Sequence, residues 1–257
     1  LAQNELLPAG DPTKLSPTEI YINQGVNNYG YTLFGDEYDG DDDYSTGALA
    51  PKQPMFIGAY IQDQIEYKNL IVNVGFRYDY IDTDNQELID PTRPEETISF
   101  NTGVVDPEAL KEVPTFSSVS PRFGFSFPVT DRTVFHAQYG KFVQQTRLRD
   151  IYQGVYATSN QLRGGFFIAN PVGFNVRPTR TTQYEVGFTQ QVGEFASFDV
   201  TGYYKDIQDQ VVISLQETHS NSPYQAYNIF TNGDFATTKG VEISFNMRRV
   251  ERIQVNG

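Results

Sequence analysis

The chain has 257 residues, with 32 acidic and 19 basic side chains and a net charge of −13. A nucleic-acid partner is therefore a poor fit, because phosphates need a basic face. The absence of cysteine excludes disulfides, zinc–thiolate sites and cysteine nucleophiles in this chain. No apolar run approaches the roughly 18 residues of a membrane-spanning helix, but a membrane barrel stays open because its strands alternate apolar and polar residues.

Apolar and polar residues alternate with a period of two in seven segments. In residues 70–80, every even-numbered residue is apolar or aromatic, and the residues between them are mostly small or polar. Alternate side chains of a strand lie on opposite faces, so this pattern predicts strands with one apolar and one polar face. Asp63 interrupts the apolar face of the first strand, and a β-bulge would explain it. The predicted strands lie near 56–67, 70–80, 122–129, 133–140, 183–192, 198–205 and 240–247.

The connections between these strands alternate between short and long. Hairpin-length turns fall at 68–69, 130–132 and 193–195, and long loops near 81–119, 146–180 and 206–238. This alternation is typical of membrane barrels with short periplasmic turns and long extracellular loops. We therefore predict an all-β fold, an antiparallel transmembrane β-barrel over 55–257, preceded by an extracellular acidic loop region over 1–54. Segments 211–215 and 227–230 are expected to pair within the third long loop.

A soluble β-sandwich would alternate too, but its apolar face is usually led by aliphatic residues. Here the apolar face is rich in aromatic residues near the predicted strand ends, as the aromatic girdles of a membrane barrel require. These are Tyr67, Tyr78, Tyr80, Tyr139, Phe195 and Tyr204. The chain opens at Leu1 without an initiator methionine and closes on a turn-like Val255-Asn256-Gly257, so we expect a partial chain.

Several of these segments resemble the barrel hairpins of TonB-dependent outer-membrane receptors, in the style of the SusC-like and Oar-like group. The resemblance covers about 55–247, loops excepted. It rests on GAYIQDQ (58–64) with LIVNVGFRYD (70–79), SPRFGFS (120–126) with TVFHAQYG (133–140), TQYEVGF (182–188) with FDVTGYYKDI (198–207), and KGVEIS (239–244).

The resemblance implies a bacterial outer-membrane location and a barrel of about 22 strands that is closed by an N-terminal plug. It also implies energy delivered by TonB, ExbB and ExbD, and allows a surface lipoprotein partner beside the outer-membrane lipid. This chain departs from the pattern, since it contains no plug domain, no TonB box and only about seven predicted strands. The link to TonB would therefore run through an N-terminal part of the parent protein that is missing here.

The resemblance implies that the parent protein binds a scarce solute at its external loops and imports it. Siderophores, oligosaccharides, oligopeptides and cobalamin all stay open as solutes. A second hypothesis is a non-transporting surface barrel that acts as an adhesin or an assembly partner. A third is a small complete barrel of eight strands, against which the odd strand count argues. No enzymatic activity is predicted, because no catalytic set stands out.

Two groups of residues are candidates for contact with a solute or a plug. The loop aromatics could stack on sugars or pack against peptides, and they could equally hold the loops together; they are Tyr152, Tyr156, Phe166, Phe167, Tyr224 and Tyr227. The charged side chains of the polar face would line the lumen, pair with one another or face the plug; they are Arg77, Arg122, Glu185, Asp199 and Glu242. No cofactor is predicted apart from calcium.

The calcium hypothesis rests on the acidic run DEYDGDDD at 36–43. Asp39, Asp41 and Asp43 alternate like the first ligands of an EF-hand, but Tyr44 and Ala50 stand where that loop needs glycine and glutamate. A solvated acidic loop is the other interpretation. Calcium ligation predicts a binding heat when the 30–50 peptide or the intact protein is titrated with millimolar Ca²⁺ in a calorimeter. A solvated loop predicts none.

Overall fold

The computed structural model describes residues 8, 11, 14, 29–32, 35–40, 51–101, 105–152, 172–173, 175–250 and 253–256. Ten strands follow one another along the chain: β1 (Met55–Tyr67), β2 (Leu70–Asp82), β3 (Gln86–Leu88), β4 (Leu110–Glu112), β5 (Phe116–Thr130), β6 (Thr133–Gln144), β7 (Thr179–Val192), β8 (Ala196–Gln216), β9 (Tyr227–Val250) and β10 (Ile253–Asn256). The described helices are short: α1 (Leu148–Tyr152) and the 3₁₀ turns Pro94–Glu96 and Pro107–Ala109. No described helix is long and apolar enough to cross a membrane.

Eight strands form one antiparallel sheet in the order β1-β2-β5-β6-β7-β8-β9-β10, and β3 and β4 form a separate hairpin. The sheet is open, with β1 and β10 at its two edges. The predicted number of strands was too low, because the short strand β10 pairs with the end of β9. The main sheet thus has an even number of strands, so the odd strand count no longer argues against a small complete barrel. The argument against such a barrel is instead that the two edge strands, β1 and β10, do not pair with each other.

The long connections lie at one end of the sheet and the short turns at the other. Residues 68–69 join β1 to β2, 131–132 join β5 to β6, and 193–195 join β7 to β8. Residues 211–216 pair with 227–232, as predicted for the third long loop. Strands β8 and β9 extend beyond the other strands of the sheet. The predicted third long loop is therefore mostly a β8–β9 hairpin, and its loop is only residues 217–226.

Cross-strand pairing arranges aromatic side chains of one face in rows, and we name this side of the sheet the aromatic face. Phe123, Tyr139, Tyr184 and Tyr204 are direct register partners. Their ring centroids are 6.2, 5.1 and 6.3 Å apart from one strand to the next. We call this the tyrosine row. A second row is formed by Phe127, Phe135 and Phe188. It lies four residues, or about 13 Å along each strand, nearer the turns than the tyrosine row.

Asp63 belongs to the same level as the tyrosine row. The β1–β2 register runs without a shift from Met55–Asp82 to Tyr67–Leu70, so the β-bulge proposed from the sequence is wrong. Asp63 pairs with Val74, which pairs with Phe123 of the tyrosine row. Tyrosines mark the boundary between membrane and water, and a carboxylate at that level can stay hydrated.

On the opposite, polar face, glycines make room for the larger side chains of neighbouring strands. A side-chain carbon at Gly58 would lie 2.6 Å from the guanidinium of Arg77, and one at Gly240 would lie 2.7 Å from the hydroxyl of Tyr203. At Gly187 it would meet the Val200 carbonyl oxygen at 2.5 Å, Thr201 Oγ1 at 2.6 Å and His136 Nε2 at 2.7 Å. Small and large residues therefore complement each other across this face, and the sheet needs glycine at these positions.

Replacement of Gly187 by alanine is expected to destabilise the sheet by about 1–3 kcal/mol, the usual cost of overpacking, because the Val200 backbone oxygen cannot swing away. Gly202→Ala is the matched control, since a side-chain carbon there meets nothing closer than the Val186 oxygen at 3.7 Å. The measurement is the temperature at which the intact protein loses resistance to dodecyl sulfate on a gel. Equal temperatures for the two variants would contradict the packing analysis.

Candidate functional site

The polar face carries all five charged residues that the sequence assigned to it. Gly75, Arg122 and Gly140 are register partners, as are Gly124, Gln138 and Glu185. The registers of the neighbouring strand pairs place Arg77, Asp199 and Glu242 on this same face of the sheet. The register therefore brings Arg77, Arg122, Glu185, Asp199 and Glu242 onto one face, opposite the aromatic rows.

A groove of about 560 Å³ runs over this polar face between β2 and β7. Gly75, Gly124 and Gly140 form its floor, because they present no side chain. Its sides carry donors and acceptors: Gln62, Asn73, Arg122, His136, Gln138, Gln183 and Glu185. These donors and acceptors suit a partner surface that offers hydrogen bonds.

None of the five charges pairs with another of the five in the described part of the chain. Arg77 donates from Nε to both carboxylate oxygens of Asp79, at 2.8 and 3.1 Å. The guanidinium of Arg122 lies over the Phe142 ring, 4.7 Å from its centroid. Glu185 accepts a short hydrogen bond from Gln183. Arg77, Arg122 and Glu185 are thus each oriented by a residue outside the group of five, and the mutual pairing that the sequence left open is not formed among the described residues.

The two threonines beside Asp199 and the imidazole of His136 form a network near the turn end. Thr189 donates to Oδ2 of Asp199 at 2.7 Å, and Thr201 donates to Oδ1 at 2.8 Å. His136 Nε2 lies 3.0 Å from Thr201 Oγ1. Because the Thr201 hydroxyl gives its proton to Asp199, His136 must donate to Thr201 rather than accept from it. The network orients side chains but supplies no nucleophile paired with a base.

At the opposite end of the sheet, the three long connections pack together into what we call the loop cap. Its core combines residues of the first loop with one from the second and two from the third. The buried side chains are Leu88, Ile98, Val105, Val172, Tyr224 and Tyr227. Ile151, Tyr152 and Val176 form a second small core beneath α1. Apolar contacts between segments far apart in sequence therefore hold the described parts of the cap together.

Backbone and side-chain hydrogen bonds join the loops as well. Val172 donates to the Asn228 oxygen at 3.0 Å and accepts from the Phe230 nitrogen at 2.8 Å, which adds a parallel bridge to β9. The Asn85 side chain donates to the Ile151 oxygen at 2.9 Å. Ser222 Oγ donates to Glu95 at 2.6 Å. The described ends of the second loop are thus joined to the first loop at Ile151 and to the β8–β9 hairpin at Val172.

A cluster beside the β8–β9 hairpin anchors the base of the second loop. Asn232 accepts from the Arg177 nitrogen at 2.7 Å and donates to the Arg177 and Asp209 oxygens, both at 2.8 Å. Asp209 takes a left-handed backbone with φ of 58°, and its carboxylate accepts from Arg180 at 2.6 Å. The register of β8 and β9 shifts between Ile207 and Val211, where this cluster replaces the regular ladder.

Three of the predicted loop aromatics lie inside the cap. Tyr227 is 0% exposed, Tyr224 3% and Tyr152 6%. Their hydroxyls donate to backbone oxygens of the first loop: Tyr227 to Pro91 at 2.7 Å, Tyr224 to Ile98 at 3.0 Å, and Tyr152 to Thr83 by a short bond. Of the two roles that the sequence left open for these three, the geometry favours the role of holding the loops together.

Burial keeps these phenols neutral. Desolvation, followed by the neighbouring carboxylate of Glu95, raises the pKa of Tyr224 to about 12. Desolvation is also the main cause of the raised pKa values of Tyr152 and Tyr227. A neutral phenol is the form that donates to a carbonyl oxygen, so the cap keeps its three tyrosine bonds across the physiological pH range.

The other predicted site residues fall mostly outside the described part of the chain. Tyr156, Phe166, Phe167, Asp41 and Asp43 lie there, so their roles stay predictions. Asp39 is described and lies two residues after the Tyr31–Glu37 bridge. Among the described residues, no group of three or more acidic, histidine or cysteine side chains could hold a metal ion.

Sequence reasoning missed the aliphatic residues that form the core of the cap. Leu88, Ile98, Val105 and Val172 stand in runs of only one or two apolar residues within polar, turn-rich segments. They carry no periodicity, so no pattern identifies their partners. The tyrosines were found because aromatic side chains in polar loops are conspicuous.

The comparisons with known proteins agree with this architecture. A family model for the β-barrel of TonB-dependent-receptor-like proteins matches residues 8–256. The chain belongs to this family, and its sheet is part of the wall of an antiparallel outer-membrane β-barrel. No match was found among curated proteins.

Solved structures show the same fold. The chain superimposes on the ferric enterobactin receptor of Pseudomonas aeruginosa with a TM-score of 0.52 and 12% identity, over 88% of this chain and 29% of that one. For the hemophore receptor HasR of Serratia marcescens the TM-score is 0.51 and the identity 14%, over 79% and 33%. The chain thus spans about a third of the length of these structures or less. None of these comparisons distinguishes the SusC-like group, which stays a prediction.

Tyr227→Phe should loosen the loop cap without unfolding the sheet. It removes one buried hydrogen bond and leaves the Pro91 oxygen without that partner, a change of about 1–3 kcal/mol. We expect amides of residues 88–98 to exchange hydrogen about fivefold or more faster in the intact protein, by mass spectrometry. Tyr60→Phe is the control, because Tyr60 is 77% exposed on β1. Unchanged exchange in Tyr227→Phe would contradict a structural role for the hydroxyl.

Proposed function

We propose that this chain is the part of a TonB-dependent importer in which the barrel wall meets the transported solute. In this proposal the polar face lines the lumen and the loop cap forms part of the outer entrance. The observation that carries the proposal is the division of the sheet into two faces: aromatic rows on one side, and on the other a glycine-floored groove with Arg122, Gln138 and Glu185. A barrel wall that only anchored a protein in lipid would not need this polar, grooved face.

The polar groove supports the lumen assignment. Its two charges, Arg122 and Glu185, form no ion pair among the described residues. Each can therefore exchange a water or side-chain partner without breaking an ion pair of the wall, which suits contact with a protein surface that slides or rearranges. In the proposed mechanism this surface is the plug of the parent protein. TonB, ExbB and ExbD would act through an N-terminal part of that protein, and a surface lipoprotein is a further candidate partner.

The loop cap supports external binding of a scarce solute. A binding surface that is already ordered avoids the entropic cost of fixing loops on binding, and the described part of the cap is held by its own apolar contacts. The side chains that contact the solute would then lie on its outside, while Tyr152, Tyr224 and Tyr227 maintain its shape. Tyr156, Phe166 and Phe167 remain the proposed contacts from the second loop. The proposal leaves the solute open among siderophores, oligosaccharides, oligopeptides and cobalamin, and involves no enzymatic step.

A second candidate function is that of a non-transporting surface barrel, an adhesin or an assembly partner. An ordered cap serves such a role equally well, because a rigid loop surface also suits a protein partner. The two functions differ in what happens at the polar face. Only an importer needs that face to change its surroundings during each cycle.

The absence of cysteine in this chain allows a direct test by labelling. Gln138→Cys places a thiol in the polar groove, and Ala137→Cys places one on the aromatic face one residue away. In cells that express the intact protein, we expect a water-soluble maleimide to label position 138 faster when a candidate solute is supplied, and only when TonB is present. Position 137 should stay unlabelled throughout.

The outcomes separate the two functions. If labelling of position 138 is the same with and without TonB for every solute class, the import proposal fails and the surface-barrel candidate takes its place. If position 137 is labelled and position 138 is not, the assignment of the faces is wrong. Native cysteines elsewhere in the parent protein would be replaced by serine before the test.

A further inference from the structure

The outer part of the β8–β9 hairpin has one sheet edge that no described strand covers. Residues 211–216 of β8 pair with 227–232 of β9 on one side. On the other side, β7 pairs with β8 only as far as Arg180 and Gln208. Completion of the barrel would not close this edge, because β7 is already the neighbour of β8 on that side. We call residues 211–215 on this side the hairpin edge.

The backbone groups of two residues point out of the hairpin edge. On β9, the Asn228 oxygen and the Phe230 nitrogen bond to the second loop, on the side away from β8. Their register partners, Leu215 and Ile213, therefore form non-hydrogen-bonded pairs with β9 and direct their own N–H and C=O groups outward. The described part of the chain offers these outward groups no backbone partner. An extended chain laid along the edge would supply one for each of them.

The side chains beside these groups are apolar and exposed. Ile213 is 59% exposed and Leu215 60%, and they share one face because they lie two residues apart. Nearer the membrane, Val211 and Phe230 pack against the second small core of the cap, so the exposed pair continues an apolar surface. Ile213 lies nine residues, about 30 Å along the strand, beyond Tyr204 of the tyrosine row. This surface therefore stands in water and is not explained by contact with lipid.

The charges at the two ends of the hairpin edge differ in sign. At the end nearer the membrane, Arg177 and Arg180 both bond to the carboxylate of Asp209, at 3.3 and 2.6 Å, and both guanidiniums are at least half exposed. At the outer end, Glu217 is exposed and forms no ion pair with a described residue. An added strand that begins with a basic residue and ends in a carboxylate would match both ends.

Two further carboxylates lie near the inner end. Asp206 accepts from the Gln208 amide at 2.9 Å, and Asp234 accepts from the Phe235 nitrogen at 2.8 Å. Asp234 belongs to β9, on the far side of β8 from the open edge. The two guanidiniums, in contrast, belong to the start of β7 and to the residues just before it, which border the edge directly.

The position of β7 fixes where an added strand has to stop. A strand antiparallel to β8 runs toward the membrane and meets the start of β7 at Thr179. A chain that ended there would place its terminal carboxylate beside Arg177 and Arg180. The rest of its protein would precede this segment and lie beyond the outer end of the hairpin, away from the membrane.

We propose that the hairpin edge binds the carboxyl-terminal tail of a protein partner outside the cell, as an added antiparallel strand. Backbone bonds to Ile213 and Leu215 align the tail, and apolar side chains at its alternate positions cover these two residues. Its terminal carboxylate meets the two guanidiniums. Proteins usually protect an exposed edge with a charge or a proline, whereas VVISLQ (211–216) contains neither.

A second copy of this chain is a poorer occupant. Copies in one membrane have their β8 strands pointing the same way, so two hairpin edges could meet only as parallel strands, the less stable pairing. The proposal also does not depend on import, because the tail binds above the lumen and leaves the polar groove as it is. The labelling test at position 138 and the tail test below therefore fail independently.

The test uses the intact protein in nanodiscs and a fluorescent hexapeptide, Lys-Val-Thr-Val-Thr-Val, whose valines would face the edge residues 211, 213 and 215. We expect saturable binding by fluorescence anisotropy. The peptide with a free carboxylate should bind about fivefold more tightly than its amide, the contribution of an exposed ion pair. Arg177→Gln should reduce this difference and leave the binding of the amide unchanged. The absence of saturable binding at millimolar peptide would overturn the proposal.

Variants of Ile213 test the edge itself. Ile213→Pro removes the outward N–H without breaking a bond to β9, and Ile213→Thr keeps the N–H but removes apolar contact. Each should weaken peptide binding about tenfold, with resistance to dodecyl sulfate unchanged. Ile89→Thr is the matched control, because Ile89 is 53% exposed elsewhere on the cap. Full binding by both Ile213 variants, or an equal loss in the control, would contradict the assignment.

A fusion tests whether the tail belongs to a folded protein. The same hexapeptide is placed at the carboxyl terminus of ubiquitin behind a flexible Gly-Ser spacer. We expect the fusion to bind as tightly as the free peptide, because its folded part lies beyond the outer end of the hairpin. Binding of the free peptide alone would make the site one for oligopeptides and would overturn the assignment to a protein tail.

Discussion

The constraint on which the structure depends is the pairing of every backbone amide within the protein where the chain crosses lipid. The β1–β2, β6–β7 and β7–β8 ladders run without a register shift. The shifts that do occur lie near the turns, at Pro128 and between β9 and β10, or on the loop side, between Ile207 and Val211. Irregular backbone is therefore placed where water or side chains such as Asn232 can satisfy it, and the membrane-crossing part stays regular.

The regular ladder gives the two faces their separate roles. Because the register is fixed, residues that are paired across neighbouring strands lie on the same face of the sheet. Aromatic rings therefore form rows on one face, and charged side chains lie on the other. Glycines opposite large side chains, as at Gly58 and Gly240, let the polar face hold Arg77 and Tyr203 without distorting the sheet. The same alternation places the polar groove on the side of the proposed plug and the aromatic rows on the side of the lipid.

Beyond the membrane the constraint disappears, and the chain is held by a different set of interactions. The loop cap relies on small apolar cores and on tyrosines that donate to backbone oxygens. These contacts join residues more than a hundred positions apart, such as Tyr227 and Pro91. Tyr152, Tyr224 and Tyr227 were conspicuous in the sequence, but their burial came from the meeting of three loops, which no local pattern encodes.

The sequence by itself determined seven strands of the main sheet, their two faces and the alternation of short and long connections, because a period of two survives in any local window. It therefore also predicted the family and which charges share the polar face. Only the tertiary structure decided the eighth strand of the sheet, the unbulged register at Asp63 and the cap that buries the loop tyrosines. Those features depend on which strands and loops are adjacent in space. Adjacency in a sheet is set by the pairing of strands, which no single segment of the sequence encodes.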